Sequence, residues 1–61
     1  MKYKAKIKYN NDKDNYNIKA FVDNEWIILG RRVDNIGFIA KSFNTIEETK
    51  EFIKNSEHLE E

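Results

Sequence analysis

Cysteine and proline are absent from this chain, histidine occurs once and glycine only twice. No disulfide and no thiolate metal site can therefore reinforce a small core. The lone His58 stands in a polar tail with no second group to hold it in proton-transfer geometry, and Ser42 and Ser56 have no base at a recognisable spacing. Gly30 and Gly37 are isolated, so no glycine-rich phosphate loop exists. Asp12 and Asp14 open like a calcium loop, but the required glycine and closing glutamate are missing. These absences predict a protein that is not an enzyme, with no catalytic residue, metal ligand or cofactor. Long apolar runs are lacking too. The longest, Trp26-Ile27-Ile28-Leu29, falls far short of the roughly 18–20 residues that span a membrane, so no membrane partner is expected. Met1 leads into lysine alternation and not into an apolar signal core, which predicts a cytoplasmic location. Net charge is lacking as well, eleven basic groups standing against eleven acidic ones. That balance argues against a strongly basic nucleic-acid binder.

What is present is a 61-residue chain, 39% hydrophobic and 36% charged, with four Phe, three Tyr and one Trp. It is too apolar for a disordered segment, and residues 1–61 make one domain. A chain of this size buries only about 60% of its unfolded surface, so a partner or a second copy of itself adds needed stability. Abundant Asn, Lys, Ile and Glu without Pro resemble the coding of low-GC bacteria and their phages.

Lys2 to Tyr9 alternates strictly, four lysines on one side and Tyr3, Ala5, Ile7 and Tyr9 on the other, which predicts a strand. Asn10 to Asn15 is a polar turn, and Tyr16 to Val22 alternates again. Asp23-Asn24 fits a two-residue hairpin turn, both residues tolerating positive φ. Trp26 to Val33 reads as a third strand, central because it is apolar on both faces at its start. Asp34 to Gly37 reads as a second turn, Gly37 giving a position free of Cβ crowding, and Phe38 to Phe43 as a fourth strand. At Thr45 the period changes. Thr45 and Glu48 form a capping box, and Ile46, Thr49, Phe52 and Ile53 recur at helical spacing as far as Asn55. Ser56 to Glu61 reads as a frayed acidic tail. The predicted class is α+β: a four-stranded, or three-stranded, antiparallel meander with one C-terminal helix on one face.

One helix hides one face of a sheet, leaving the other to water or a partner. If Tyr3, Ala5, Ile7 and Tyr9 meet the helix, then Lys4, Lys6 and Lys8 line the open face, with Lys19 and Phe21 from the second strand. Trp26 and Ile28 join them if Ile27 and Leu29 point to the helix, with Arg32 nearby; in the opposite register Trp26 is core. Apolar side chains rimmed by lysine and arginine make a partner-binding face. The plain alternative is that the lysines only prevent sheets from aggregating edge to edge.

The segments Trp26-Ile27-Ile28-Leu29-Gly30 and Lys41 to Ile53 resemble the arm-type DNA-binding domains of phage integrases, and are similar to the plant ethylene-response type of DNA-binding domain. Those families open the packing helix with a Phe-x-Thr-x-x-Glu-Ala-like run. Here Thr49 stands where Ala is usual, and the sheet is expected to have one strand more. The resemblance implies DNA contact through the open sheet face. Small sheet-plus-helix chains of this composition also resemble phage-encoded inhibitors of host or defence proteins. Neutral charge and an acidic helix rank a protein partner first, with duplex DNA as the alternative and a fragment of an enzyme whose chemistry is supplied elsewhere as the third reading; a homodimer through the same face is a further arrangement.

Overall fold

The N-terminal alternation folds as β1 (Tyr3–Asn10) in a computed structural model that describes residues 1–61. Beyond a turn in which Asp14 takes a φ of 52°, β2 (Asn15–Val22) returns antiparallel, setting Ala5 opposite Ala20 and Ile7 opposite Ile18. Asp23 and Asn24 both adopt positive φ, 52° and 66°, the left-handed pair whose twist suits a tight hairpin. β3 (Glu25–Ile28) then pairs with β2, Phe21 opposite Trp26 and Ala20 opposite Ile27.

The third strand does not run on to Val33 as the sequence predicts. Leu29 donates its N–H to the Ile18 carbonyl (2.9 Å), and the chain then leaves β2. β4 (Gly30–Val33) and β5 (Gly37–Ala40) pair only with each other, as a separate two-stranded sheet. At the base of this arm Lys41 donates to the Leu29 carbonyl (3.0 Å), and Phe43 exchanges two 2.9 Å bonds with Tyr16. The edge of β2 is thus covered by two pieces of chain with a hairpin inserted between them. Gly30 makes the departure sterically feasible: a Cβ there would stand 2.7 Å from the Phe38 ring and 2.8 Å from the Ala40 Cα. Gly37 meets the predicted need through its own backbone and not through its neighbours. Its surroundings are empty, and what requires glycine is its φ of 97°.

The helix α1 spans Ile46–Asn55, the bounds its periodicity predicts. Thr45 Oγ1 accepts from the Glu48 N–H (3.1 Å), the first half of a capping box. Thr49 is fully buried, and its hydroxyl is satisfied by donating to the Thr45 carbonyl at 2.8 Å.

The tail Ser56–Glu61 overturns the expectation of fraying. It forms β6 (Leu59–Glu60), parallel to β1, with Tyr3 opposite Leu59 and Lys4 opposite Glu60. Tyr3 donates its N–H to the His58 carbonyl (2.8 Å), and Leu59 is only 6% exposed. The helix delivers this one apolar residue to the edge of β1, where it completes the core with Ile53. The main sheet is therefore mixed, ordered β3-β2-β1-β6, and not a purely antiparallel meander. Its core is thin: only seven of the 61 residues are buried, five of them apolar (Ala5, Ile18, Ala20, Ile53 and Leu59). Two members of the helix stripe, Ile46 and Phe52, stay 38% exposed, α1 packing mainly over β1, β2 and β6. No helix is long and apolar enough to cross a membrane.

Candidate functional site on the open sheet face

Strand alternation fixes which side chains share a face. Ala5, Ile18 and Ala20 lie beneath the helix with Ile53, so their neighbours Lys4, Lys6, Lys8, Lys19 and Phe21 project from the opposite side. The pairing of β3 adds Trp26 beside Phe21, and Ile28 beside Lys19. Of the two registers left open by the sequence, the structure adopts the one that turns Trp26 away from the helix. Ile27 takes the helix side and is itself 40% exposed.

The largest apolar feature of this face is an aromatic pair beside the β2–β3 turn. The Phe21 and Trp26 rings stand 5.1 Å apart, tilted by 54°, with 39% and 40% of their surfaces exposed. Lys6 reaches across β2 to place its Nζ 4.3 Å from the Trp26 ring centroid, a cation–π contact. Lys6 needs such a contact, because Lys19 stands directly opposite it and cross-strand like charges destabilise a sheet. Lys4 and Lys8 flank this pair on β1. Six side chains of one surface are therefore cationic or aromatic, and Ile28 borders them, half-buried.

Arg32 does not belong to the group. The departure of the chain at Gly30 carries it onto the separate hairpin, in register with Phe38. The sequence signal for this break was Gly30 itself, whose meaning depends on contacts made only when β5 returns.

At one end of the sheet an amide cluster fastens the returning chain. Asn17, buried, donates to the Lys41 carbonyl (2.7 Å) and accepts from Asn10, whose amide also donates to Asn15 (2.9 Å). Nearby, the Tyr9 hydroxyl donates to Asp14 across the β1–β2 turn at 2.7 Å. That hydrogen bond, aided by some loss of hydration and the carboxylate's negative charge, holds the Tyr9 pKa above its ordinary 10.0. The bond exists while Tyr9 keeps its proton, so its contribution is complete below pH 10.0 and disappears as pH rises through the raised value. Spectrophotometric titration of the phenols is expected to show one late-ionising tyrosine, and Asp14→Asn to bring it back toward the ordinary value.

The structure also reveals a second surface not anticipated from the sequence. The Phe43 and Phe52 rings lie 5.3 Å apart, with Lys41 Nζ 5.3 Å and 5.5 Å from their centroids. Between this cluster and the hairpin runs a groove of about 530 Å³, lined in part by Leu29, Arg31 and Ile39. Only the incomplete cover over Phe52 signals it, and no periodicity reports incomplete cover. No three His, Asp or Glu side chains gather where they could hold a metal ion. No family model, curated protein or solved structure matches this chain.

Proposed function

We propose that the chain is a non-enzymatic binding domain that grips an acidic protein surface with its open sheet face, Trp26 serving as the anchor. One observation carries this reading: a Phe21–Trp26 pair, capped by Lys6, remains two-fifths exposed on the face opposite the helix, away from the end where Lys41 fastens to Asn17. A chain with so thin a core gains by placing aromatic surface inside unless that surface has a use outside. Trp is over-represented at interface hot spots, and the surrounding lysines favour carboxylates. A small cytoplasmic binder of this kind suits the role of an inhibitor, carried by a phage or mobile element, that blocks a host or defence protein.

The test is capture from a low-GC bacterial lysate with immobilised wild-type chain and Trp26→Ala, each with and without nuclease. A protein retained by the wild type after nuclease treatment, and absent from the variant, is the expected result. Equal retention by both baits counts against the face.

One observation favours DNA as a second reading: Lys4, Lys6, Lys8 and Lys19 share a single face. If they neutralise phosphates, Lys4→Gln, Lys6→Gln and Lys8→Gln together flatten the logarithmic salt dependence by about 0.9 for each phosphate left without its lysine. The expected outcome is weak, sequence-independent binding in the wild type. Tight binding to a defined duplex at physiological salt reverses the order of the two readings.

A further inference from the structure

β1 has an unfinished edge. Its inner side is paired with β2 from Ala5 to Asn10, whereas its outer side is paired with β6 at Tyr3 and Lys4 alone. Tyr3 donates outward, to His58. Backbone groups alternate in direction along a strand, so Ile7 and Tyr9 also aim their N–H and C=O groups outward, where no strand lies opposite. Such an edge accepts another strand.

The side chains select which strand. Lys6 and Lys8 line one side of the open stretch, and half-buried Ile7 and half-exposed Tyr9 line the other. A second copy of β1 would set lysine against lysine, an unfavourable cross-strand pairing. The chain's own tail shows what the edge accepts. In β6 the apolar Leu59 pairs with Tyr3 and descends into the core, and the acidic Glu60 pairs with Lys4.

We infer that the rest of this edge binds an extended peptide of alternating carboxylate and apolar side chains, added to the sheet beside β1. Its carboxylates lie toward Lys6 and Lys8, its apolar side chains lie along Ile7 and Tyr9, and its backbone completes the ladder at Ile7 and Tyr9. This rests on the reading of the face as a site for acidic protein and gives the partner a form, an acidic strand.

The experiment uses a synthetic peptide of about eight residues alternating Val and Glu, long enough to cover the open stretch. Its controls are the Val–Lys counterpart and a version with the valines and glutamates in separate blocks. Binding of Val–Glu is expected to slow amide hydrogen exchange at Ile7 and Tyr9 by about tenfold or more, leaving the β3 amides unaffected. The doubly charge-reversed protein, Lys6→Glu with Lys8→Glu, is expected to prefer the Val–Lys peptide. Both changes sit on exposed positions, so the fold survives them. Unchanged exchange at Ile7 and Tyr9 with millimolar Val–Glu overturns the inference, as does equal protection by the block or Val–Lys peptide. Trp26→Ala separates the two readings. Edge protection that persists in this variant while lysate capture also persists leaves the edge standing and sinks the face. A peptide that alters Trp26 emission without protecting Ile7 and Tyr9 does the reverse.

Discussion

Leu59→Ala is expected to remove about 2–5 kcal/mol of stability, although the residue lies in a tail of charged neighbours. Leu59 is one of only five apolar residues in the core, and it fills the space between Ile53 and β1. Truncating it leaves a cavity at the least redundant place in the molecule, since few other buried side chains can shift to fill it. Proteins of this size hold a total stability of only about 3–9 kcal/mol, so the loss is a large share of the whole. Urea unfolding followed by circular dichroism measures it directly. Glu60→Ala, next in sequence but exposed, is the control and is expected to change stability by no more than about 0.5 kcal/mol. If Leu59→Ala and the wild type unfold at the same urea concentration, the tail is not part of the core.

The tail also shows where sequence reading runs out. Period-two alternation marked β1 and β2, the Asp23-Asn24 pair marked their hairpin partner, and the Thr45 cap with its apolar stripe marked α1 to its terminal residues. These features are local, each encoded in the residues that adopt it. β6 is not local. A two-residue strand has no period to detect, and its partner β1 lies at the opposite end of the chain. The break at Gly30 fails for a related reason: an isolated glycine does not by itself end a strand, and the need for glycine arises from Phe38, Ile39 and Ala40, which reach it only after the arm has folded back. The site divides along the same line. Lys4, Lys6, Lys8, Lys19, Phe21, Trp26 and Ile28 shared a face by parity, and they do so in the structure. Arg32 was placed by assuming an unbroken strand, and it left with the hairpin.

Trp26→Ala is expected to leave the domain folded while weakening partner binding by at least about 2 kcal/mol, roughly 30-fold. A fully buried Trp would cost about 3–5 kcal/mol of folding stability on the same change. Here two-fifths of the residue is exposed and it lies outside the core, so most of that cost does not arise. What the substitution does remove is the ring beneath Lys6 and beside Phe21, and with it the largest apolar side chain of the face. Two measurements on one variant, a urea unfolding curve and an affinity for the captured partner, separate the outcomes. Unfolding without a specific loss of affinity assigns Trp26 to stability alone. Emission from the wild-type indole is expected to be quenched by iodide in the free chain and protected once the partner is bound.

The parallel pairing of β1 with β6 has a consequence in time. β1, β2 and β3 are joined by short turns and can meet early, whereas the closing contact between Tyr3 and Leu59 spans almost the whole chain. Loop-closure entropy makes such distant pairings slow to form, so the strand made first is the last to gain its outer neighbour. Until Leu59 arrives, β1 displays a full-length bare edge to every other newly made copy, the condition under which partly folded chains aggregate. Lys2, Lys4, Lys6 and Lys8 then act as gatekeepers of the folding intermediate, keeping nascent molecules apart during the interval before β6 covers the Tyr3–Lys4 end of that edge.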